Sequence, residues 1–498
     1  MGGGADSVVG YASIALAFVL TIVSFAYSIG IVSGFFDKNG LKALEYHYLR
    51  GKCYNKIMTE KLTILHLNDW HSHFETYPRL KRFFQDYADQ DAEVIKIDVG
   101  DNIDRWHPMT DATQGKYNVQ LMNDLGIDFA TIGNNEGIGL AKTMLNQVYE
   151  SANFDVILGN LEDEAGRPTW AKPYKIYETA LGTKIVFLAY TFPYYLTYHP
   201  GGWQVLDPIT CLKRDLEIPE IKSADFHILL SHLGLPLDEK ITAEVPEIDL
   251  IIGAHTHHVF EDGACLNGTY LAAAGKYGQF AGEINLTFEH RELSDITIHV
   301  HETSHMPSKP GDKEWIETVE ANGSKLLSQE VVKSFDHELS LDESCQIVMA
   351  AMKEYANADI AMINSGLVVN PFSKKVTKDT LHHSLPHQMR LARLEVTTDE
   401  LTTICQDVFS QAELLANQQI RGMGFRGKEF GRVLTSGFDY KNGKIVYNKK
   451  VTNEKDTISL VLVDQYYFAR YFEAIKSHQA ELLFPELLRE LVETYLKK

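Results

Sequence analysis

Seven side chains that could bind metal ions follow short apolar segments of this sequence: Asp69, His71, Asp101, Asn134, His232, His255 and His257. The pairs at 69/71 and 255/257 each place two donors on one short turn, and glycines precede several turns, where they let the backbone approach an ion. Imidazole and carboxylate ligands together favour zinc, manganese or iron over calcium, and no cysteine is placed to join them. One carboxylate can bridge two ions roughly 3.5–4 Å apart, the spacing used for in-line phosphoryl displacement. These residues therefore predict a site for two divalent metal ions, with manganese, zinc and iron as the candidates.

The alternative for each histidine alone is a structural role, because a single histidine after a strand is more often hydrogen-bonded within the fold than bound to a metal. Five turns of the same kind, each after an apolar segment, are poorly explained in that way. In open α/β sheets the ligand site lies at the carboxyl ends of the strands. We therefore expect the five turns to converge.

Between residues 62 and 303, short apolar strands alternate with amphipathic helices, which is typical of a layered α/β domain. The predicted strands are Leu62–Leu67, Val94–Val99, Phe129–Ile132, Val156–Leu158, Ile185–Ala189, His227–Leu230 and Leu250–Ile252. The helices predicted between them include Pro78–Tyr87, Tyr117–Leu125 and Leu140–Tyr149. A later pair of segments alternates like antiparallel strands at a sheet edge, namely Gly282–Phe288 and Asp295–His301.

A second α/β unit follows a proline- and glycine-containing break at residues 306–311 and a predicted connecting helix at Trp315–Gln329. Its predicted strands are Ile360–Ile363, Arg390–Val396 and Thr457–Val463, and its predicted helices are Glu343–Tyr355, Asp399–Ser410 and Ala480–Leu496. We expect a first domain over residues 58–304, a linker helix within 305–335 and a smaller C-terminal domain over 336–498.

The composition is that of a globular protein, with 498 residues that are 45% hydrophobic and 23% charged. A formal net charge of -20 argues against nucleic-acid binding, because phosphate backbones need a basic surface. It does not exclude a small phosphorylated substrate, because bound metal ions reverse the local sign of charge. The five cysteines are scattered and odd in number, which indicates a reducing compartment rather than a disulfide framework: Cys53, Cys211, Cys265, Cys345 and Cys405.

The N-terminus allows two interpretations. Val8–Phe36 is almost free of charge and longer than the ~20 apolar residues that span a bilayer. Basic residues follow this segment, so a membrane anchor would leave the rest of the chain in the cytoplasm. Alternatively, translation starts at Met58, directly before the first predicted strand, and residues 1–57 are an extension that the mature protein lacks. Both interpretations predict a cytoplasmic protein, with or without an anchor.

The order of the polar turns resembles the motif set of the calcineurin-like metallophosphoesterases. The residues that carry the resemblance are Asn68–His71, Gly100–Asn102, Gly133–Glu136, His232 and Gly253–His257. The opening Leu65–Asp69 and the second α/β unit narrow it to the 5′-nucleotidase and 2′,3′-cyclic phosphodiesterase family, and Gly422–Lys428 resembles a bacterial branch called YunD-like. The resemblance implies a layered β-sandwich flanked by helices, followed by a smaller α/β substrate domain.

This resemblance also implies roles for the seven residues. Asp69, His71 and His257 would hold one metal ion; Asn134, His232 and His255 would hold the other. Asp101 would bridge the two ions, and a hydroxide between them would attack phosphorus. The expected activity is hydrolysis of nucleotides or nucleotide-like phosphoesters. The candidate catalytic residues are Asn135, Asp101 and His255. The alternatives are a non-catalytic metal-dependent binding module and a sulfur-ester hydrolase on the same scaffold.

One departure from the family pattern concerns the proton donor. The family usually has His after the Asn ligand and Asp three residues later, where this chain has Asn135 and Ile138. Asparagine donates a hydrogen bond but carries no proton to a leaving group. We expect Asn135→His alone to restore little protonation of the leaving group, because the new imidazole would lack an orienting carboxylate. Three nearby residues could substitute for the dyad or could simply form local salt bridges: Asp104, Arg105 and His107.

The substrate pocket is expected from the second unit. The resemblance implies aromatic rings around a nucleoside base and arginines on the phosphates, although the usual arginine after Asn364-Ser365-Gly366 is absent. The candidate substrate-binding residues, for which core packing is the alternative, are Asn364, Gly366, His387, Arg421, Arg426 and Phe468. The expected partner is a small phosphoester, with no nucleic acid.

Overall fold

The computed structural model describes residues 59–87, 93–416, 418, 425–447, 457–469 and 471–498. Glu60–Lys498 form one unit. The predicted apolar segment Val8–Phe36 and the start at Met58 lie outside the described residues, so both stay predictions. Among the helices that are described, none combines the length and the apolar character needed to cross a bilayer.

Two large β-sheets are built from the first part of the chain. Its strands are β1 (Thr59–Leu67), β2 (Glu93–Asp98), β3 (Phe129–Ala130), β4 (Asp155–Ile157), β5 (Leu161–Glu162), β6 (Ala171–Lys172), β7 (Lys175–Glu178), β8 (Lys184–Thr191), β9 (Gln204–Val205), β10 (Phe226–His232), β11 (Leu250–Gly253), β12 (Ala264–Leu266), β13 (Thr269–Ala272), β14 (Phe280–Glu289) and β15 (Glu292–Glu302). One sheet has the order β15-β14-β1-β2-β3-β4-β6, the other the order β12-β13-β11-β10-β8-β7, and β5 pairs with β9.

Helices cover the outer faces of both sheets. They are α1 (Tyr77–Asp86), α2 (Pro108–Thr113), α3 (Lys116–Leu125), α4 (Asn134–Gly137), α5 (Lys142–Val148), α6 (Tyr195–Tyr198), α7 (Pro208–Asp215), α8 (Pro219–Lys222) and α9 (Leu235–Glu244). Strand residues alternate between layers: Ile64 and Ile185 pack in the core between the sheets, whereas Leu65 faces the helices of the first sheet and Val186 those of the second. The predicted helix-flanked sandwich is confirmed.

The C-terminal part has its own sheet and core. Its strands are β16 (Val331–Ser334), β17 (Ile360–Asn364), β18 (Lys375–Thr377), β19 (Leu391–Val396), β20 (Val433–Ser436), β21 (Phe438–Lys441), β22 (Lys444–Tyr447), β23 (Ile458–Val463) and β24 (Glu481–Leu483). The connecting helix is α10 (Gly311–Leu327). The helices of the C-terminal part are α11 (Leu341–Ala356), α12 (Lys378–Ser384), α13 (Thr398–Ala416), α14 (Asp464–Phe468), α15 (Glu473–Lys476) and α16 (Leu488–Leu496). The main sheet has the order β20-β17-β23-β19-β24. The predicted domain boundaries stay a prediction.

One predicted helix, Ala480–Leu496, is wrong in its first half. Residues 481–483 form the edge strand β24, which pairs antiparallel with β19, and α16 begins only at Leu488. Pro485 explains the difference, because proline lacks an N–H and disfavours helical backbone in the residue before it.

A buried histidine lies where β1 meets β14. His66 is fully buried, and both of its ring nitrogens lack a hydrogen-bond partner among the described residues. Its ring packs directly on Gly282, where an added Cβ would lie 1.9 Å from the His66 Nε2 atom. Burial lowers the pKa of His66 from 6.5 to about 4.

We predict that His66 makes the protein less stable in acid. Between pH 6.5 and pH 4 the unfolded chain binds a proton that folded His66 excludes, so the free energy of unfolding falls as the pH drops through this window, by about 3 kcal/mol. His66→Leu should remove that part of the loss. Urea unfolding at pH 7 and pH 4.5 measures it, and His305→Leu, at an exposed position, is the control. An unchanged pH dependence in His66→Leu would contradict the assignment.

Candidate metal centre

The five polar turns meet at one end of the sandwich. Strands β1, β2 and β3 are parallel neighbours in the first sheet, and β10 and β11 are parallel neighbours in the second. Their carboxyl ends therefore bring the turns together, as predicted from the strand-end pattern.

The seven side chains include two compact groups of donor atoms. One group contains Asp69, His71 and His257, and the other contains Asp101, His232 and His255; within each, the candidate ligand atoms lie within 4.8 Å of one another. The Nε2 atoms of His71 and His257 are 3.3 Å apart. The Asp101 carboxylate faces both groups, because Oδ2 lies 3.7 Å from His71 Nε2 and Oδ1 lies 3.4 Å from His232 Nε2.

Strained backbone places these side chains. Five of the seven residues have a positive φ, between 50° and 71°: Asp69, His71, Asp101, His255 and His257. This left-handed conformation costs about 1–2 kcal/mol for a residue with a Cβ. Backbone hydrogen bonds between turns support it, from Asp69 N to Gly100 O (3.0 Å) and from His71 N to Asp101 O (2.8 Å). Strain of this kind concentrates at functional sites.

Two buried atoms in the centre fit the role of metal ligands. Asn134 Oδ1 and His232 Nε2 have no hydrogen-bond partner within the described part of the chain. The His232 Nδ1–H donates to Val99 O at 2.8 Å, so Nε2 is the ring nitrogen that faces the Asp101 carboxylate and can bind a proton or a cation. Gly133 is required beside them, since an added Cβ would lie 2.1 Å from Asp101 Oδ1 and 2.5 Å from His232 Nε2. The donor set therefore fits divalent metal ions.

The electrostatics of the centre also favour a cation. Burial alone lowers the pKa of His232, but the charge of the Asp101 carboxylate outweighs it and raises that pKa to about 10. Burial raises the pKa of Asp101, but the charge of His232 outweighs it and holds that pKa well below the usual range. The carboxylates thus create a strongly negative potential where the histidine nitrogens meet.

Glu136 holds two of the turns together. Its buried carboxylate accepts backbone hydrogen bonds from Asp101 (3.0 Å), Ile103 (2.7 Å) and Gly133 (2.8 Å). Burial is the main cause that raises its pKa to about 7. No role was predicted for Glu136 from the sequence, although a glutamate three residues after the N-cap of a helix is a known signal for backbone capping.

Of the three residues considered as substitutes for the missing dyad, only Asp104 contacts the centre. Its Oδ2 lies 3.3 Å from His71 Nδ1 and accepts from Asn135 Nδ2 at 3.2 Å. The same carboxylate pairs with Arg426 and accepts from Gln388 Nε2 at 3.1 Å. Burial raises the pKa of Asp104, but the charge of Arg426 outweighs it and holds that pKa below the usual value.

Arg105 and His107 have structural partners instead. Arg105 pairs with Asp111 at 2.8 Å and with Glu490 at 2.7 Å. His107 caps α2, its Nδ1 accepting from Met109 N at 3.1 Å, and burial lowers its pKa to about 4. Arg105 therefore forms local salt bridges, as the alternative interpretation had it, and His107 caps a helix.

A cleft of about 1060 Å³ adjoins the centre, between the end of the sandwich and the C-terminal part. Its lining includes His71, Asp101, Asn134, Asn135, Ile138, Tyr194, His255, His257, Lys276, Tyr277, Gln388, Arg390, Phe425, Arg426, Asp464, Gln465, Phe468 and Phe484. Two of the predicted substrate-binding residues, Arg426 and Phe468, are in this lining. Arg421 lies outside the described residues.

The other predicted substrate-binding residues lie behind the cleft, not in its lining. Both ring nitrogens of His387 are engaged, by Leu367 O (2.9 Å) and by the Arg426 N–H (3.0 Å), and its ring stacks on Phe425 at 4.8 Å. Asn364 bonds Phe430 O and the Tyr466 hydroxyl. Gly366 packs so tightly that a Cβ would lie 1.9 Å from Glu429 O. These three residues support the wall, so their predicted substrate contacts do not fit the structure.

Several cleft residues were missed by the sequence analysis. Tyr194 and Tyr277 follow β8 and β13, which are parallel neighbours of β10 and β11, so the strand-end argument would have found them. Tyr277 packs edge-on against His71 at 5.6 Å, and the Tyr194 hydroxyl lies 3.4 Å from His255 Nε2. Arg390, by contrast, has no signal of this kind.

Comparisons with known proteins agree with this geometry. A family model described as calcineurin-like phosphoesterase matches residues 62–259. The chain is 35% identical over 460 residues to the uncharacterized metallophosphoesterase YunD of Bacillus subtilis, covering 87% of this chain and 99% of YunD. It is 25% identical over 385 residues to a 5′-nucleotidase of Vibrio cholerae, covering 62% of this chain and 68% of that protein. The structure of a 5′-nucleotidase precursor from Thermus thermophilus has the same fold, with a TM-score of 0.54, 18% identity and coverage of 88% and 96%.

We predict two equivalents of manganese or zinc per chain after loading, measured by elemental analysis of the folded protein. Asp101→Asn should weaken both sites, because its carboxylate faces both donor groups. His257→Ala should remove about one equivalent, whereas His258→Ala, next to it but outside both groups, should leave the content unchanged. One equivalent or none in the folded wild type would contradict the assignment.

Proposed function

This chain belongs to the calcineurin-like metallophosphoesterases of the 5′-nucleotidase family and is a phosphoester hydrolase, and we propose that it uses two divalent metal ions to hydrolyse nucleotides or nucleotide-like phosphoesters. The observation that carries the proposal is the pair of donor groups at the mouth of a cleft large enough for a nucleotide. A non-catalytic module would not need both groups, and no donor of either group is missing.

In this proposal Asp69, His71 and His257 hold one ion, while Asn134, His232 and His255 hold the other, with Asp101 between them. Two divalent ions held by these residues would activate water and stabilise charge on phosphoryl oxygens. Asp104 orients His71 through its contact with Nδ1. Glu136 fixes the turns of Asp101 and Gly133 by accepting their N–H groups.

Asn135 occupies the wall between the centre and the cleft. Its backbone N–H donates to Asp101 Oδ1 at 2.7 Å, so it fixes the bridging carboxylate. Its side-chain amide lies beside Asp104 and His71 and can donate a hydrogen bond but no proton to a leaving group.

The far side of the cleft suits a nucleoside. Phe425 and Phe468 present aromatic rings, which can stack on a base, and Gln388 and Gln465 present amides that can hydrogen-bond to one. His387 stacks behind Phe425 and keeps that ring in place. We therefore propose that the ring of Phe425 is one of the rings that stack on the base.

We predict that the manganese-loaded protein releases phosphate from a panel of nucleotides and cleaves bis(4-nitrophenyl) phosphate. Asp101→Asn should lower kcat by about 100-fold or more, because bound ions contribute several kcal/mol of transition-state stabilisation. His258→Ala should retain activity. Sulfate and thiosulfate esters belong in the same panel, and turnover of those esters alone would identify a sulfur-ester hydrolase instead.

A second prediction concerns leaving groups. Rates should fall steeply across a series of aryl phosphates as the leaving group becomes more basic, because Asn135 supplies no proton. Asp104 already lies 3.2 Å from the Asn135 amide, so Asn135→His alone should gain an orienting carboxylate and make the dependence shallower, contrary to the expectation from sequence. Asn135→Gln is the matched control. Equal slopes in wild type and Asn135→His would contradict the expectation that Asp104 orients the new imidazole as a proton donor.

A further inference from the structure

Arg390 is a buried arginine in the wall of the cleft, directly before β19. It is 4% exposed and is held in a fixed orientation. Its Nε donates to Pro485 O at 3.0 Å, its Nη2 donates to Ile138 O, and its guanidinium lies 4.6 Å from the Phe484 ring centre. Within the described chain, Nη1 has no hydrogen-bond partner.

No carboxylate among the described residues lies within 4.0 Å of this guanidinium. The other arginines of this region are paired, Arg426 with Asp104 and Arg105 with Asp111 and Glu490. Burial lowers the pKa of Arg390 to about 10, with Asp464 acting against it at longer range, so the group is charged at neutral pH.

A buried charge without a counter-ion is costly, unless a ligand supplies the opposite charge. Asp464, in the same lining, forms no ion pair with it; burial raises the pKa of Asp464 to about 6, so this carboxylate is ionised at neutral pH and acts on Arg390 only at longer range. Glu490 is already bound to Arg105. A fixed guanidinium in the lining with no contacting ion-pair partner among the described residues therefore indicates an anionic group in the cleft.

The position of Arg390 indicates which part of a bound phosphoester its guanidinium would contact. Its Nη2 binds the carbonyl of Ile138, which lies four residues after Asn134. Asn134, Asn135, Ile138 and Arg390 all line the same cleft, so the guanidinium lies on the wall that continues from Asn134 and Asn135 through Ile138. Neither Asn135 nor Ile138 offers an acid on this wall.

We propose that Arg390 binds the negative charge on the leaving-group side of the phosphoester, so that the leaving group departs as an anion without being protonated first. The proposal rests on the proposed function and deepens it. The bond between phosphorus and the leaving oxygen breaks, and its electron pair stays on that oxygen beside the guanidinium. Water forms the new bond to phosphorus and releases its proton to solvent. Substrates whose leaving groups are stable anions, such as phenolates or phosphates, are selected.

The charge and its fixed position are both needed for this role. Two backbone carbonyls hold the guanidinium in place, so it needs little reorganisation as charge develops on the leaving oxygen. An arginine in a fork geometry also suits phosphate oxygens, which are the leaving group of a phosphoanhydride. The same group gives less benefit where the bridging oxygen takes up a proton as the bond breaks and departs as a neutral alcohol.

The test compares Arg390→Gln and Arg390→Lys with wild type across aryl phosphates of increasing leaving-group basicity. Arg390→Gln should steepen the dependence and lower kcat on the most basic leaving groups by about 10- to 100-fold, with little change in KM. Arg390→Lys, which keeps the charge, should lie between Arg390→Gln and wild type. The control is Arg393→Gln, on the strand β19 that follows Arg390, where the arginine pairs with Glu395 and Glu481 outside the cleft. It should match the wild type.

A second measurement needs no variant. Phenyl phosphate carrying ¹⁸O in the bridging position should show a clear normal isotope effect on kcat/KM, because the bond breaks without compensating proton transfer. An isotope effect near zero, or a folded Arg390→Gln protein with the wild-type slope, would overturn the role of Arg390. A wild-type protein that cleaves no aryl phosphate at all would instead overturn the proposed function itself.

Discussion

Seven electron-rich donor atoms lie at one end of a rigid sandwich, and the rest of the site depends on how they are held together. Donor atoms that carry full or partial negative charge repel one another at the distances found here, unless a cation lies between them. Two imidazole nitrogens 3.3 Å apart, on residues with left-handed backbone, show how strongly the fold imposes this arrangement. The sheets supply the necessary stiffness, because the strands that end at the site are buried on both faces.

The C-terminal part completes the site through buried ionic contacts. Asp104 links the candidate metal ligand His71 to Arg426 of the cleft. Farther out, Asp111 of α2 accepts from Arg105, Arg489 and His382, which joins the sandwich to α12 and α16. Breaking such a buried pair costs about 3–5 kcal/mol, because the remaining charge is left unpaired. These contacts fix the cleft wall relative to the metal centre.

Much of the metal centre could be predicted because its signal is local. Each donor follows a short apolar strand, and parallel strands place their carboxyl ends at one edge. Tyr194 and Tyr277 could be found in the same way once β8 and β13 are recognised as neighbours in the second sheet.

The cleft wall is different. Phe425 and Arg390 come from segments before strands of another sheet, and their roles follow from long-range packing that no spacing in the sequence encodes. His387 shows the limit, since its ring is buried and stacks on Phe425. Asp104 was one candidate among three adjacent polar residues, and only its distances to His71 and Asn135 distinguish it.

The central claim is that the two donor groups hold two metal ions that share Asp101. Anomalous diffraction from crystals of the manganese-loaded protein tests it most directly. The account predicts two peaks roughly 3.5–4 Å apart, one beside Asp69, His71 and His257 and the other beside Asn134, His232 and His255, with Asp101 between them. A single peak, or two peaks that do not share Asp101, would contradict it.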